Sequence, residues 1–151
     1  MFNYSDDLQL HSGSLEIEKI HNAWYDKYKD LNYGAFITFV GIIRDEDNID
    51  GLSFDVYEPI LKKWFSSWQE KAKKKGAIVF MAHSFGDVVN HTSSYIAGVS
   101  SPKRRVALEL MDEYVEDFKK NAPIWKYDMR NGNRIYAKDR SQKIDGAGVL
   151  V

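Results

Sequence analysis

The chain has 151 residues, of which 44% are hydrophobic, 14% aromatic and 28% charged, a composition typical of one globular domain. Its formal net charge of −1 argues against a dedicated nucleic-acid-binding protein, because that class usually carries a clear basic excess. Since the sequence contains no cysteine, disulfides, thiolate metal sites and a catalytic thiol are excluded within this chain.

The first half of the sequence predicts two helices separated by two strands. Ser14 is a plausible N-cap of the first helix, whose apolar residues recur at three- and four-residue steps. That apolar face consists of Ile17, Ile20, Trp24, Tyr28 and Leu31. Strands are predicted over residues 35–43 and 52–57, and we expect them to pair across the polar loop between them. The second helix, from about Pro59 to Lys75, has proline in its first turn and is followed by Gly76, a typical C′ residue.

The second half of the sequence predicts further strands. Residues 77–83 and 94–100 read as strands that flank a turn at Phe85-Gly86-Asp87, and we expect them to form an antiparallel pair. Nearer the C-terminus, Asn131-Gly132 lies between two short strand-like runs and is typical of a two-residue hairpin turn.

A third helix is predicted between these strand regions. Ser101 stands where an N-cap is expected, Pro102 occupies the first helical position, and the helix runs to about Lys120. The pattern as a whole predicts an α+β fold with an antiparallel sheet and three main helices. We expect a single domain over residues 1–151, with a flexible tail at 141–151 that has too few apolar residues to form another unit.

Two lysines, Lys119 and Lys126, bracket a short segment that contains Pro123. Lys119 falls in the last turn of the third helix, which Pro123 cannot extend. A helix C-terminus attracts cations, so Lys119 alone has an ordinary structural explanation. A further basic residue, Arg44, ends the apolar strand-like run that starts at Gly34, and the combination indicates a functional site.

Another pair of cations, Lys103 and Arg104, lies at the predicted start of the third helix. Free backbone N–H groups and the positive end of the helix dipole attract anions there, so phosphate binding is the natural hypothesis. The planar fork of Arg104 suits two phosphate oxygens at once, whereas Lys119 and Lys126 are compact point charges.

Other chemistries find little support in the sequence. The four histidines have no paired metal-ligand spacing, the acidic loop at 45–50 lacks the glycine and glutamate of a calcium loop, and no phosphate-binding loop or nucleophile elbow is present. We therefore expect no metal and no cofactor.

The N-terminus has no basic start with an apolar core, and no run is long enough to cross a bilayer, so we expect a cytoplasmic protein without membrane or nucleic-acid partners.

Three segments carry a resemblance to a known family: GAFITFVGIIRD from Gly34, SPKR from Ser101 and KKNAPIWK from Lys119. In order and spacing, over roughly Gly34 to Arg140, the chain resembles the large, catalytic subunit of molybdopterin synthase. The resemblance implies an α/β-hammerhead-like fold and a sulfurtransferase that converts cyclic pyranopterin monophosphate (precursor Z) to molybdopterin, in molybdenum cofactor biosynthesis. The sulfur comes from the C-terminal Gly-Gly thiocarboxylate of a small ubiquitin-like partner subunit, and a homodimer of large subunits forms the centre of a heterotetramer.

The same resemblance assigns roles to individual residues. Lys119 and Lys126 become the catalytic lysines at the sulfur-transfer centre, acting by charge or by proton transfer. The residues that bind substrate are Arg44 and Phe39 in the pocket wall, with Arg104 and Arg140 at the pterin phosphate. Lys103 stands where the family usually has histidine, so only anion binding is expected of it.

Arg104 and Lys119 are fifteen residues apart on one predicted helix, a separation of about 22 Å. One small pterin cannot span that distance, so a shared substrate requires the two residues to come from different chains of a two-fold dimer. Two alternatives stay open: a non-catalytic α+β adaptor that binds a partner's extended C-terminus by strand addition, and an RNA-binding domain using the lysines at 71–75, which the near-neutral charge disfavours.

Overall fold

The computed structural model describes residues 3–137, which form seven strands and three α-helices. The elements in chain order are β1 (Leu8–Ser12), α1 (Ile17–Tyr28), a 3₁₀ turn (Lys29–Leu31), β2 (Ala35–Ile42), β3 (Gly51–Val56), α2 (Glu58–Lys74), β4 (Ile78–Val89), β5 (Ser93–Ser101), α3 (Arg104–Asn121), β6 (Ile124–Arg130) and β7 (Asn133–Tyr136). The predicted α+β class is confirmed. Arg140 and the tail at 141–151 lie outside the described residues.

The strands join in the order β2-β5-β4-β3-β6-β7, with β1 added beside β4. All neighbouring strands along this path are antiparallel, whereas β1 runs parallel to β4. The long strand β4 changes partners along its length, because residues 78–83 pair with β5 and residues 86–89 pair with β3. β4 therefore links the two halves of the sheet.

The expected pairing of β2 with β3 is wrong, since β2 pairs with β5 while β3 lies between β4 and β6. The physical reason is the burial of β5, whose residues from Ser94 to Ser101 are all buried. A strand buried in this way needs a neighbour on each side, and β2 and β4 supply them. The expected pairing of β4 with β5 is confirmed.

The expected turn at Phe85-Gly86-Asp87 is also wrong, because these residues continue β4. Gly86 has φ +77°, which glycine adopts easily, and it stands where β4 passes from β1 to β3. The hairpin at Asn131-Gly132 is confirmed, with φ of 51° and 78° at the two turn residues. Positive φ at both positions is typical of the type I′ turns that join antiparallel strands.

Two of the helices, α1 and α3, start later than the capping pattern predicts. The Ser14 hydroxyl bonds to the Thr92 hydroxyl at 2.7 Å, and α1 begins only after Glu16. Ser101 ends β5 and donates to the Lys103 carbonyl at 2.6 Å, so α3 begins at Arg104. At the end of α2, Gly76 has the expected positive φ of 71°.

The sheet separates two parts of the core. On one face α2 and α3 pack against alternate residues of β4 and β5, including Met81, Ala97 and Val99. On the other face α1 packs Ile20 and Trp24 against the intervening residues, such as Phe80. The predicted apolar face of α1 is thus largely confirmed, except that Leu31 lies in the 3₁₀ turn and is exposed. Among residues 3–137, no helix is long and apolar enough to span a membrane.

Candidate active site

A cavity of about 280 Å³ lies where the C-terminal end of α3 meets β2, β4, β5 and β6. Its lining includes three of the residues singled out in the sequence: Phe39 from β2, Lys119 from α3 and Lys126 from β6. The remaining lining residues are Gly41, Ile42, Ile43, Leu52, Phe54, His83, Ser94, Tyr95, Val115 and Phe118. Residues from distant parts of the chain therefore converge on one concave site.

Lys119 is held by the last turn of α3. The helix ends at Asn121 because Ala122 is extended, with φ −67° and ψ 140°, and Pro123 follows. The ring of Phe118 stacks on that of Tyr95 with centroids 4.2 Å apart and an 8° angle between the planes. This stack fixes the last helical turn against β5, so Lys119 extends over the cavity from a rigid support.

Lys126 reaches the cavity from the half of the sheet that contains β3, β6 and β7. It lies opposite Phe54 in the pairing of β6 with β3, and its carbonyl accepts the backbone N–H of Ala137 at 2.9 Å. The preceding residue, Trp125, is only 2% exposed and anchors this part of β6 in the core. The end of α3 and the start of β6 together place both lysines at one cavity.

The inner wall of the cavity is aromatic and apolar. His83 packs edge-on against Phe54, with centroids 4.9 Å apart, and it lies directly opposite Tyr95 across β4 and β5. Its Nδ1 donates to the Ser84 carbonyl at 2.7 Å, and burial lowers the pKa of the imidazole to about 4. The ring is therefore neutral at physiological pH.

In the part of the chain that the structure describes, the two lysines are the only charged residues lining this cavity. Two ammonium groups attract an anionic ligand. The apolar wall beside them strengthens this attraction because it excludes water. A second cavity of about 370 Å³ shares Phe39, Val115 and Lys119, and its other lining residues are Met111, Asp112 and Glu116 of α3. The site can thus accept a ligand larger than the inner cavity alone would hold.

The structure does not bring all of the sequence-predicted residues to this cavity. Arg44 has an 80% exposed side chain that bonds to Glu46 at 3.0 Å, and it is outside the described lining. Lys103 and Arg104 stand at the opposite end of α3, about 22 Å from Lys119 along the helix. Within residues 3–137 no cluster of histidine, aspartate and glutamate could hold a metal ion.

Several lining residues were missed by the sequence analysis, notably His83, Tyr95, Phe54 and Phe118. A histidine near the end of an apolar strand was the available signal for His83, but its neighbours depend on strand register. Tyr95 was assigned to a strand without any indication of which side chains it would meet.

A larger cavity, of about 810 Å³, lies between β1, β3 and the start of α2. Its ionic groups are engaged with each other or with neighbours, since Lys62 pairs with Glu58 at 3.1 Å and Asp55 pairs with Arg134 at 3.0 Å. With two carboxylates and one lysine in its lining, this cavity is less suited to binding an anion than the cavity lined by Lys119 and Lys126, which we take as the candidate active site.

Comparison with known proteins adds independent findings. Residues 11–121 match the family model described as MoaE protein. The chain is 48% identical over 143 residues to a molybdopterin synthase catalytic subunit of Helicobacter pylori strain 26695, covering 95% of this chain and 99% of that protein. The corresponding protein of strain J99 is 40% identical over the same shares.

Solved structures show similar folds. One is a chain from the protein–protein complex of subunits 1 and 2 of the molybdopterin-converting factor from Helicobacter pylori 26695, with a TM-score of 0.90 and 47% identity, covering 97% of this chain and 100% of that one. Another is molybdopterin synthase from Staphylococcus aureus, with a TM-score of 0.74 over 87% of this chain and 96% of that one. At 20% identity, the second likeness concerns the fold alone.

Proposed function

Since the chain belongs to the MoaE family of molybdopterin synthase catalytic subunits, we propose that it installs sulfur on a pterin in molybdenum cofactor biosynthesis. The substrate is cyclic pyranopterin monophosphate and the product is molybdopterin. The sulfur comes from the C-terminal thiocarboxylate of a small ubiquitin-like partner subunit. The observation that carries the proposal is the convergence of Lys119 and Lys126 on one aromatic-walled cavity.

The two lysines suit the chemistry of a thiocarboxylate. Its sulfur attacks a side-chain carbon of the pterin and breaks the bond from that carbon to an oxygen, which leaves; the acyl group stays bonded to the sulfur, and water then adds to the acyl carbon. The carbon–sulfur bond breaks, the sulfur remains on the pterin as a thiolate, and the partner leaves as a carboxylate. Negative charge develops on oxygen and sulfur in these steps, and positioned ammonium groups stabilise it.

The pterin phosphate requires a second group of cations. Arg104 is the first residue of α3, where the backbone N–H groups of the first turn are free, and Lys103 stands just before it. We assign these two residues, with Arg44 and Arg140, to substrate binding. Because Arg104 and Lys119 lie at opposite ends of one helix, the site combines Arg104 of one chain with Lys119 of a second chain.

The partner subunit completes the assembly. A solved relative is a complex of two subunits of the molybdopterin-converting factor, which supports a heterotetramer built on a dimer of this chain. The partner's Gly-Gly tail is narrow enough to enter a cavity of about 280 Å³ and bring its terminal carbon beside the lysines. The cytoplasm is the proposed compartment.

Substitution of Lys119 tests the proposal. Lys119→Ala should lower the rate of dithiolene formation by about 100-fold or more, because removing one group that stabilises developing charge typically costs that much. Lys126→Ala should have a similar or milder effect. The measurement is a single-turnover assay with thiocarboxylated partner and pterin substrate.

The neighbouring Lys120 provides a matched control. It is an exposed lysine in the same last turn of α3, outside the described cavity lining, so Lys120→Ala should keep the wild-type rate. A near-normal rate for Lys119→Ala would contradict the catalytic assignment. A chain that binds the partner without any sulfur transfer would instead be the adaptor considered above.

A further inference from the structure

β2 forms one edge of the sheet, because among residues 3–137 it pairs with β5 alone. Its eight residues, AFITFVGI, include no charged residue and no proline, and Phe39 and Ile42 are 44% and 63% exposed. A long apolar edge attracts another strand, so sheets usually protect their edges with short strands, charges or proline. The opposite edge has such protection, since β7 has only four residues and its Arg134 pairs with Asp55. β2 lacks it.

The backbone groups of β2 that point away from β5 are regularly spaced. The Gly34 N–H donates to the Pro102 carbonyl at 3.1 Å, so residue 34 and every second residue after it bond towards β5. The N–H and C=O groups of the residues between them point out of the sheet edge, where another strand can bond to them. These residues are Ala35, Ile37, Phe39 and Gly41.

The helix that packs beside this edge has an apolar stripe outside the core. The stripe follows steps of four, three, four and four residues, so its members lie on one side of α3: Arg104, Leu108, Met111, Val115 and Lys119. Leu108 is 43% exposed, and Met111 and Val115 line one cavity together with Phe39 of β2. The stripe thus continues the apolar edge of β2 and has a cation at each end.

This stripe is symmetric about its centre. Leu108 and Val115 lie equally far from the centre on either side, and so do Arg104 and Lys119. A two-fold axis through the centre, with the second helix antiparallel, therefore places Leu108 of each copy against Val115 of the other. The same axis places Arg104 of each copy near Lys119 of the other. A surface that is complementary to itself in this way is what a two-fold interface requires.

Sheet and helix spacings allow both contacts at once. α3 packs against β2 and β5 on one face of the sheet, so its axis lies over the line between these two strands. Paired strands lie about 4.8 Å apart, so two copies joined through β2 hold their α3 axes two strand spacings apart, or about 10 Å. Packed helices are separated by about 8–10 Å. The two helices would therefore pack directly against each other.

We propose that two copies of this chain join through their β2 edges, antiparallel and centred on Thr38, so that one sheet runs through the dimer and the two α3 stripes pack together. In this register Ile37 of each copy forms hydrogen bonds with Phe39 of the other. The inference rests on the dimer of the proposed function and names the surface that forms it.

The proposed pairing also explains how the second copy reaches the active site. The hydrogen bond from Gly34 to Pro102 ties the start of β2 to the start of α3. In the antiparallel register the start of β2 in the second copy lies beside Gly41, which lines the cavity together with Lys119. Arg104 of the second copy is thereby carried to that cavity.

A cysteine at position 38 tests the register, since the chain contains no cysteine of its own. Thr38 of the two copies forms a non-hydrogen-bonded pair with Cα atoms about 4.5 Å apart, a distance that a disulfide can span. Oxidised Thr38→Cys protein should therefore run mainly as a covalent dimer on a non-reducing gel. Ile135→Cys is the matched control, because Ile135 is an exposed residue of β7 at the opposite edge, and it should stay mainly uncrosslinked.

A second variant tests the helix contact. Leu108→Glu places a charge in the stripe and should shift the protein from dimer to monomer in analytical ultracentrifugation, with an unchanged Tm measured on the monomer's fold by far-UV circular dichroism. Gln69→Glu, which adds the same charge at an exposed position of α2, should remain a dimer.

A wild-type protein that is a dimer while Thr38→Cys stays uncrosslinked would overturn the inference and leave the proposed reaction standing. A monomeric wild-type protein would overturn it as well, and so would a Leu108→Glu protein that remains a dimer. Crosslinking of Thr38→Cys in a protein that transfers no sulfur from the partner would refute the proposed reaction while the interface stands.

Discussion

Burial of His83 should make the stability of the protein sensitive to mild acid. The pKa of His83 is lowered by burial from 6.5 to about 4, so the folded state binds fewer protons than the unfolded state between these values. Stability due to this residue is complete above pH 6.5 and falls as the pH drops towards 4. Between pH 7 and pH 5 the loss should be about 2 kcal/mol, measurable by urea unfolding.

His83→Gln provides the comparison, because glutamine does not titrate in this range. The variant should show a clearly smaller loss of stability between pH 7 and pH 5. Part of the dependence remains in both proteins, since burial also lowers the pKa of His11. An equal loss in wild type and variant would mean that His83 can be protonated within the fold at little cost.

At the scale of single residues, the sequence predicted the two lysines of the cavity, Lys119 and Lys126, better than the aromatic residues of its wall. Lys119 was placed by local rules, because helix periodicity and Pro123 define the last turn of α3. His83 and Tyr95 lie twelve positions apart in the chain and face each other only through the register of β4 with β5. No local pattern specifies that register.

At the scale of elements, Asp117 joins α2 to α3 just before the turn that carries Lys119. Its carboxylate accepts the indole N–H of Trp64 at 2.9 Å and that of Trp68 at 2.7 Å. Burial opposes ionisation, but these hydrogen bonds and one from Asn121 hold the pKa of Asp117 below its ordinary value. The ionised carboxylate of α3 therefore connects the two helices through its hydrogen bonds to both tryptophans of α2.

Asp117→Ala should destabilise the protein by about 2 kcal/mol or more, because two indole N–H groups lose their acceptor. Glu109→Ala, at an exposed position on the same helix, should change the free energy of unfolding by less than about 0.5 kcal/mol. Urea unfolding of the two variants measures the difference. Equal stabilities would show that water replaces the carboxylate without cost.

Helices and strands were not equally predictable. Apolar spacing, capping residues and proline positions are local signals, so the existence of α1, α2 and α3 followed from the sequence, as did the buried face of α1. The five residues of β1 carry too weak an alternation to be recognised, and its parallel pairing with β4 depends on distant residues. The expectation that strands next to each other in sequence pair was wrong for β2 and β3, because β2 pairs with the buried strand β5 instead.

At the scale of the whole molecule, the roles that we propose for Arg104 and Lys119 require a dimer because of the length of α3. The helix runs without interruption from Arg104 to Asn121, so its rise fixes Arg104 and Lys119 about 22 Å apart. A two-fold axis that sets two copies of α3 antiparallel would bring Arg104 of one chain near Lys119 of the other. The dimer then contains two equivalent composite sites.

Such a composite site predicts that two inactive variants restore each other. When Arg104→Ala and Lys119→Ala proteins are mixed in equal amounts and their subunits exchange, half of the dimers become mixed. Each mixed dimer has one intact site and one doubly defective site, so activity should return to about a quarter of wild type. The control mixes Lys119→Ala with a doubly substituted Arg104→Ala/Lys119→Ala chain, which contains no intact Lys119 and should stay inactive. If the subunits demonstrably exchange and activity stays at the level of the single variants, Arg104 and Lys119 do not meet across a dimer. The phosphate site would then have to be sought among cations of the same chain as Lys119.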